Sequence, residues 1–123
     1  MNDDLSIPGS VVVYRRIPPI YLDFDTNGLP IMSDGAFRTK ELSVRQCDKV
    51  TKAEMLNEGD PTDGLATITI QAIRDAGCIV VYNEPPDGHI CGYRKDAPGS
   101  RISGSSAAKM ARAAKWVKLP QKP

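Results

Sequence analysis

Residues 65–93, LATITIQAIRDAGCIVVYNEPPDGHICGY, decide the fold class. The first dozen of them read two ways. Leu65, Ile68, Thr69, Ala72, Ile73 and Ala76 recur at helical spacing, yet LATIT is β-branched and alternates. The reading adopted is a strand over 66–69, then a short helix over 70–76 that Gly77 ends as a left-handed cap. Residues 78–82, CIVVY, follow as a buried strand. Pro85-Pro86-Asp87-Gly88 is turn chemistry, and 89–93 is a strand that folds back to pair with 78–82.

The same chemistry continues toward the N-terminus. Residues 11–14 and 20–24 (IYLDF) are short strand signals, kept apart by Pro18 and Pro19. Asn27-Gly28 tolerates positive φ, so a hairpin from 20–24 into 29–32 is expected, with Pro30 holding the second arm to an edge. Residues 42–44 read as a strand running toward Cys47. Thr51 and Glu54 form a capping box that opens a short helix through about Asn57, and 58–64 (EGDPTDG) is a loop.

Toward the C-terminus, 98–106 reads as a Gly/Ser connector. A helix is expected over 107–118, with Ser105 or Ser106 as N-cap and Pro120 as its stop. Ala107, Met110, Ala111, Ala114 and Val117 would form its apolar stripe and dock it on the body, 1–97. The expected fold is a small single-domain α+β protein. It has a short-stranded antiparallel or mixed sheet, a short helix and a basic, amphipathic C-terminal helix.

Bulk composition agrees. The 123 residues suit one domain, and 41% hydrophobic with 25% charged residues excludes wholesale disorder. The longest apolar run is strand-sized, so a membrane span is excluded, and MNDDLSIPGS lacks the basic and apolar regions of a signal peptide. Three widely spaced cysteines form no disulfide framework, which points to a reducing, cytoplasmic setting.

A net charge of +1 conceals an uneven distribution. Residues 1–63 carry seven Lys/Arg against eleven Asp/Glu, and 64–123 carry nine against four. The excess lies after Gly88, in Arg94, Lys95, Arg101, Lys109, Arg112, Lys115, Lys118 and Lys122, against Asp96 alone. Such a segment, with Trp116 or Tyr93 able to stack on a base, suits an anionic partner. An acidic protein surface or a second copy is the reading favoured, and sequence-tolerant nucleic-acid binding is the alternative. Deleting 107–123 is expected to leave the 1–97 body folded and to abolish capture of the partner.

Chemistry-bearing residues are few. Cys47, Cys78, His89 and Cys91 make the inventory of a zinc site, but no C-x₂₋₄-C knuckle supplies two ligands together. No metal and no cofactor is therefore expected. His89 is the candidate general base, to be served by a nearby Cys or an early Asp, in a third reading as a small enzyme. Asp23 and Asp25 share a strand face, with nothing to complete a cation site. The spacing of Gly99 and Gly104 imitates a phosphate-binding loop, but Ser105 stands where lysine is required. Arg101 beside the start of the helix leaves room only for capture of a single anion. The function read from the sequence is thus a non-catalytic binding module.

Overall fold

The alternating and β-branched runs become strands in the computed structural model, which describes residues 1–121. The exception is Ile20 and Tyr21 of the expected 20–24 strand, which belong to a 3-10 turn over Pro19–Tyr21, begun by Pro19, whose fixed φ suits that turn. Lys122, part of the basic segment, lies outside the described residues. In chain order the strands are β1 (Val12–Ile17), β2 (Leu22–Phe24), β3 (Pro30–Met32), β4 (Leu42–Gln46), β5 (Gly64–Thr69), β6 (Cys78–Tyr82), β7 (His89–Arg94) and β8 (Lys115–Lys118). The helices are α1 (Lys52–Asn57), α2 (Ile70–Asp75) and α3 (Gly104–Ala113). Six strands form one sheet in the order β6-β7-β4-β1-β5-β8, and every pairing in it is antiparallel. β2 and β3 form a separate hairpin whose turn has Gly28 at φ 78°. The α+β class is therefore established. No helix among the described residues is long and apolar enough to cross a membrane.

The 65–93 stretch folds as a strand, a helix and a hairpin. Thr69 ends β5 and caps α2, its hydroxyl taking the Ala72 amide at 3.1 Å. Gly77 adopts φ +97°, a conformation open mainly to glycine, and so turns the chain into β6. β6 and β7 pair with Ile79 opposite Tyr93 and Val81 opposite Cys91. The capping box of α1 is complete, with Thr51 Oγ1 and Glu54 each accepting the other's backbone amide.

Strand alternation sorts the sheet into two faces. Val13, Ile17, Leu42, Val44, Ile68, Val80 and Ile90 point to one, where α2, α3 and a 3-10 turn at Asp34–Phe37 cover them with Ile73, Met110 and Phe37. The other face is covered on one side only. There α1 packs Met55 over Leu65, with Tyr14 and Val50 beside them.

The C-terminal expectation needs correction in three ways. Ser103, not Ser105 or Ser106, caps the helix, accepting the Ser106 amide at 3.2 Å. The helix stops at Ala113, and Lys115–Lys118 forms β8, with Trp116 opposite Ala66 and Lys115 opposite Thr67. An amphipathic helix continued to 118 would leave the outer hydrogen-bonding groups of β5 unpaired; the alternating KWVK run satisfies them as a strand. Finally, 98–106 is more than a connector, because Ile102 is buried in the main core with Ala107 and Met110. Deleting 107–123 would therefore open that core and strip one edge of the sheet.

Candidate functional site

Antiparallel pairing of β4 with β7 places Arg45 opposite His89 and Ser43 opposite Cys91. Ser43 and His89 are then diagonal neighbours on the half-covered face, within side-chain reach. They meet: Ser43 Oγ lies 2.5 Å from His89 Nε2, and His89 Nδ1 lies 2.8 Å from the Asn83 carbonyl oxygen. A carbonyl can only accept, so Nδ1 carries a proton, and in the neutral ring Nε2 is then the acceptor for the Ser43 hydroxyl. Asn83 is itself fixed, its amide donating to the His89 carbonyl at 2.9 Å and its side chain to Cys91 Sγ at 3.3 Å. A hydroxyl, an imidazole within hydrogen-bond reach of it and a group that orients the imidazole form the arrangement of an activated nucleophile.

The pair opens onto a cleft of about 440 Å³. β1 and β4 make it by separating: they pair only at Val13–Gln46 and Tyr14–Arg45, and splay beyond. Arg15 reaches across the gap. Its Nη1 donates to the Ser43 carbonyl at 3.0 Å and its Nε to the Ala36 carbonyl at 2.9 Å, with the guanidinium 5.8 Å above the Phe37 ring. Burial pushes the Arg15 guanidinium down to about 10, so it stays charged at neutral pH.

Arg16 and Arg45 also line the cleft, and Glu58 serves both. Arg45 Nη1 lies 2.9 Å from each Glu58 oxygen, its Nη2 donates to the Asp87 carbonyl at 3.1 Å, and Arg16 Nη1 stands 3.8 Å from Glu58. Asp63, the other carboxylate of the lining, accepts the Asp60 amide.

The four zinc candidates do not come together. Cys78 faces the main core, where burial pushes its thiol up to about 11. Cys47 lies beside Tyr14 and Asp48, its thiol raised by burial against the opposing bond from Tyr14. Cys91 is buried on the Asn83 side chain and makes no bond to His89. Among the described residues no three His, Cys, Asp or Glu side chains are placed to hold a metal ion. The early acids also stay apart from His89: Asp25 accepts the Asn27 and Leu29 amides within its own turn.

The basic residues are scattered. Arg94 and Lys95 leave β7, next to one edge of the sheet, and Arg94 is bonded to Asp96 at 2.7 Å. Lys118 lies on β8 at the opposite edge, its ammonium donating to the Pro61 and Asp63 carbonyls. Trp116 packs against the core with its indole nitrogen buried and without an acceptor among the described residues. Arg101 is exposed ahead of α3, Lys109 and Arg112 are exposed on that helix, and Lys115 is exposed at the start of β8.

Sequence reasoning missed Ser43, and with it Asn83 and the cleft arginines Arg15, Arg16 and Arg45. For Ser43, the partner of His89, alternation held a clue, since Leu42 and Val44 point to the core and so turn Ser43 to the face that His89 shares. Compared with known proteins, the chain matches no family model, no curated protein and no solved structure.

Proposed function

We propose that the chain is a small serine-dependent enzyme that cleaves or transfers an acyl group in the β1/β4 cleft. The observation that carries this reading is Ser43 Oγ at 2.5 Å from His89 Nε2, with Nδ1 held on the Asn83 carbonyl. In the reaction Ser43 Oγ attacks the carbonyl carbon of an ester as its proton passes to His89 Nε2. The Asn83 carbonyl keeps Nδ1–H in place and stabilises the imidazolium that forms. His89 then returns the proton to the departing alcohol, leaving an acyl-serine. Water repeats the sequence with His89 as base, releasing the acid and restoring Ser43.

A fluorophosphonate reporter followed by peptide mapping tests the proposal. Labelling at Ser43 is expected in the wild type, absent in Ser43→Ala and reduced about a hundredfold in His89→Gln, the contribution of a positioned general base. A folded wild type that leaves Ser43 unlabelled, or equal labelling in His89→Gln, would refute it.

One observation favours the basic segment as a second reading. Lys109 and Arg112 on α3 and Lys115 at the start of β8 are exposed and form no ion pair among the described residues. They suit an acidic protein surface or a second copy. Because Ala107 and Met110 are core residues, charge reversal (Lys109→Glu, Arg112→Glu, Lys115→Glu) replaces deletion as the test. Unchanged capture of the same partner by that variant removes the reading, and capture of nucleic acid with a steep salt dependence transfers it to that class.

A further inference from the structure

Three arginines and two carboxylates line the cleft, and the arginines are not equivalent. Glu58 compensates Arg45 and Arg16. Arg15 forms no ion pair among the described residues. Its Nε and Nη1 are occupied by two neutral carbonyls, and none of the described residues accepts from Nη2. Arg45 adds a second deficit: it is buried, and its Nε has no acceptor among the described residues. Arg15 is half-buried, and a cation partly withdrawn from water without a counter-ion among the described residues is costly; this one is fixed by two carbonyls and an aromatic face.

We infer that Arg15 is the anion-recognition group of this cleft, and that the substrate is an ester carrying a carboxylate or phosphate. The substrate class rests on the Ser43–His89 reading, whereas the anion site stands on Arg15 alone. The guanidinium is bonded to the carbonyl of Ser43 itself. An oxyanion seated on Nη2 therefore sits close to the nucleophile, and the substrate's anionic group stands only a few bonds from the carbonyl carbon attacked. Charge-assisted bonds from a planar, fixed guanidinium fit such a group, and a lysine would reproduce the charge without the fork.

Inorganic phosphate is the probe, titrated at constant ionic strength into the folded wild type and Ser43→Ala while NMR follows the Arg15 Nε–H and Ser43 amide signals. Saturable shifts are expected in both proteins, with a Kd on the order of 1 mM. Arg15→Lys is expected to weaken binding about tenfold, and Arg16→Gln to leave it within about twofold. The wild-type titration decides the matter even if Arg15→Lys does not fold. Shifts that stay linear with phosphate, or an equal loss in Arg16→Gln, overturn the anion site. Ser43 labelling is read separately with an uncharged fluorophosphonate. Phosphate binding without labelling keeps the site and removes the ester substrate, and labelling without phosphate binding keeps the enzyme and removes Arg15 as its anion group.

Discussion

The two faces of the six-stranded sheet are built from the same strands and solve different problems. On one, α2, α3 and the Asp34–Phe37 turn bury Val13, Ile17, Leu42, Val44, Ile68 and Ile90. On the other, α1 covers only the β1/β5 side, and the vacant part holds Ser43, His89, Arg16 and Arg45 around a cleft. Arg15 bridges the two, leaving β1 beside Phe37 and ending at the Ser43 carbonyl. Close packing rules the first face, where any lost methylene is felt. The second is ruled by hydrogen-bond geometry, so its residues can change chemistry at small cost in stability.

The strongest way to break this contrast is to open the covered face. Phe37→Ala removes a ring that is fully buried, and should cost about 3–5 kcal/mol in urea unfolding, much of a small domain's stability. It also removes the surface under Arg15, so phosphate binding should weaken in whatever protein remains folded. A cost below about 1 kcal/mol would mean that this face is not the principal core.

Next comes the rim of the cleft. Gly88 adopts φ +79°, and a Cβ there would stand 2.6 Å from Lys49 Cβ, so Gly88→Ala should cost about 1–3 kcal/mol. The Gly88 carbonyl accepts the Gln46 amide and the preceding Asp87 carbonyl holds Arg45, so the strain should reach the cleft as well. Urea unfolding and Ser43 labelling of the same variant measure both effects.

A smaller loss follows from pH. The Cys78 thiol titrates near 9.0 when unfolded and is pushed up to about 11 by burial in the fold. Above pH 9 the unfolded chain releases a proton that the folded chain keeps, so stability falls as pH rises from about 9 toward 11 and is unaffected by this group below that range. Thermal melts of wild type and Cys78→Ala should converge across that interval. Parallel melts would show that Cys78 is not buried as described.

The smallest effect on stability belongs to the open face. Ser43→Ala should change unfolding free energy by no more than about 0.5 kcal/mol, because the hydroxyl is exposed and fills no core space. The same change should abolish labelling, and that separation of stability from chemistry is the sharpest statement of the contrast.

Local chemistry carried the reading of the chain far in some places. The Thr51–Glu54 box, Gly77 and the turn at Asn27-Gly28 act within a few residues, and the alternation of 78–82 and 89–93 specified a hairpin that forms. It misled in others. KWVK continues an apolar stripe at helical spacing, and the free edge of β5 recruits it as a strand. His89 stood out as the only imidazole in the chain, but its partner is a serine 46 positions away rather than a nearby cysteine or an early aspartate.

The sequence by itself determined the α+β class, the capped short helices and the turns, because caps, glycine conformations and side-chain alternation are settled between near neighbours. Tertiary structure alone decided that Ser43 and His89 share a face, that β1 and β4 separate to make a cleft, and that Arg15 reaches it without a counter-ion among the described residues. Those outcomes depend on strand order and register, set by how the whole hydrophobic pattern is buried at once. Basic residues clustered along the chain were dispersed by the same rule, since neighbours in sequence on strands and helices of different edges are not neighbours in space.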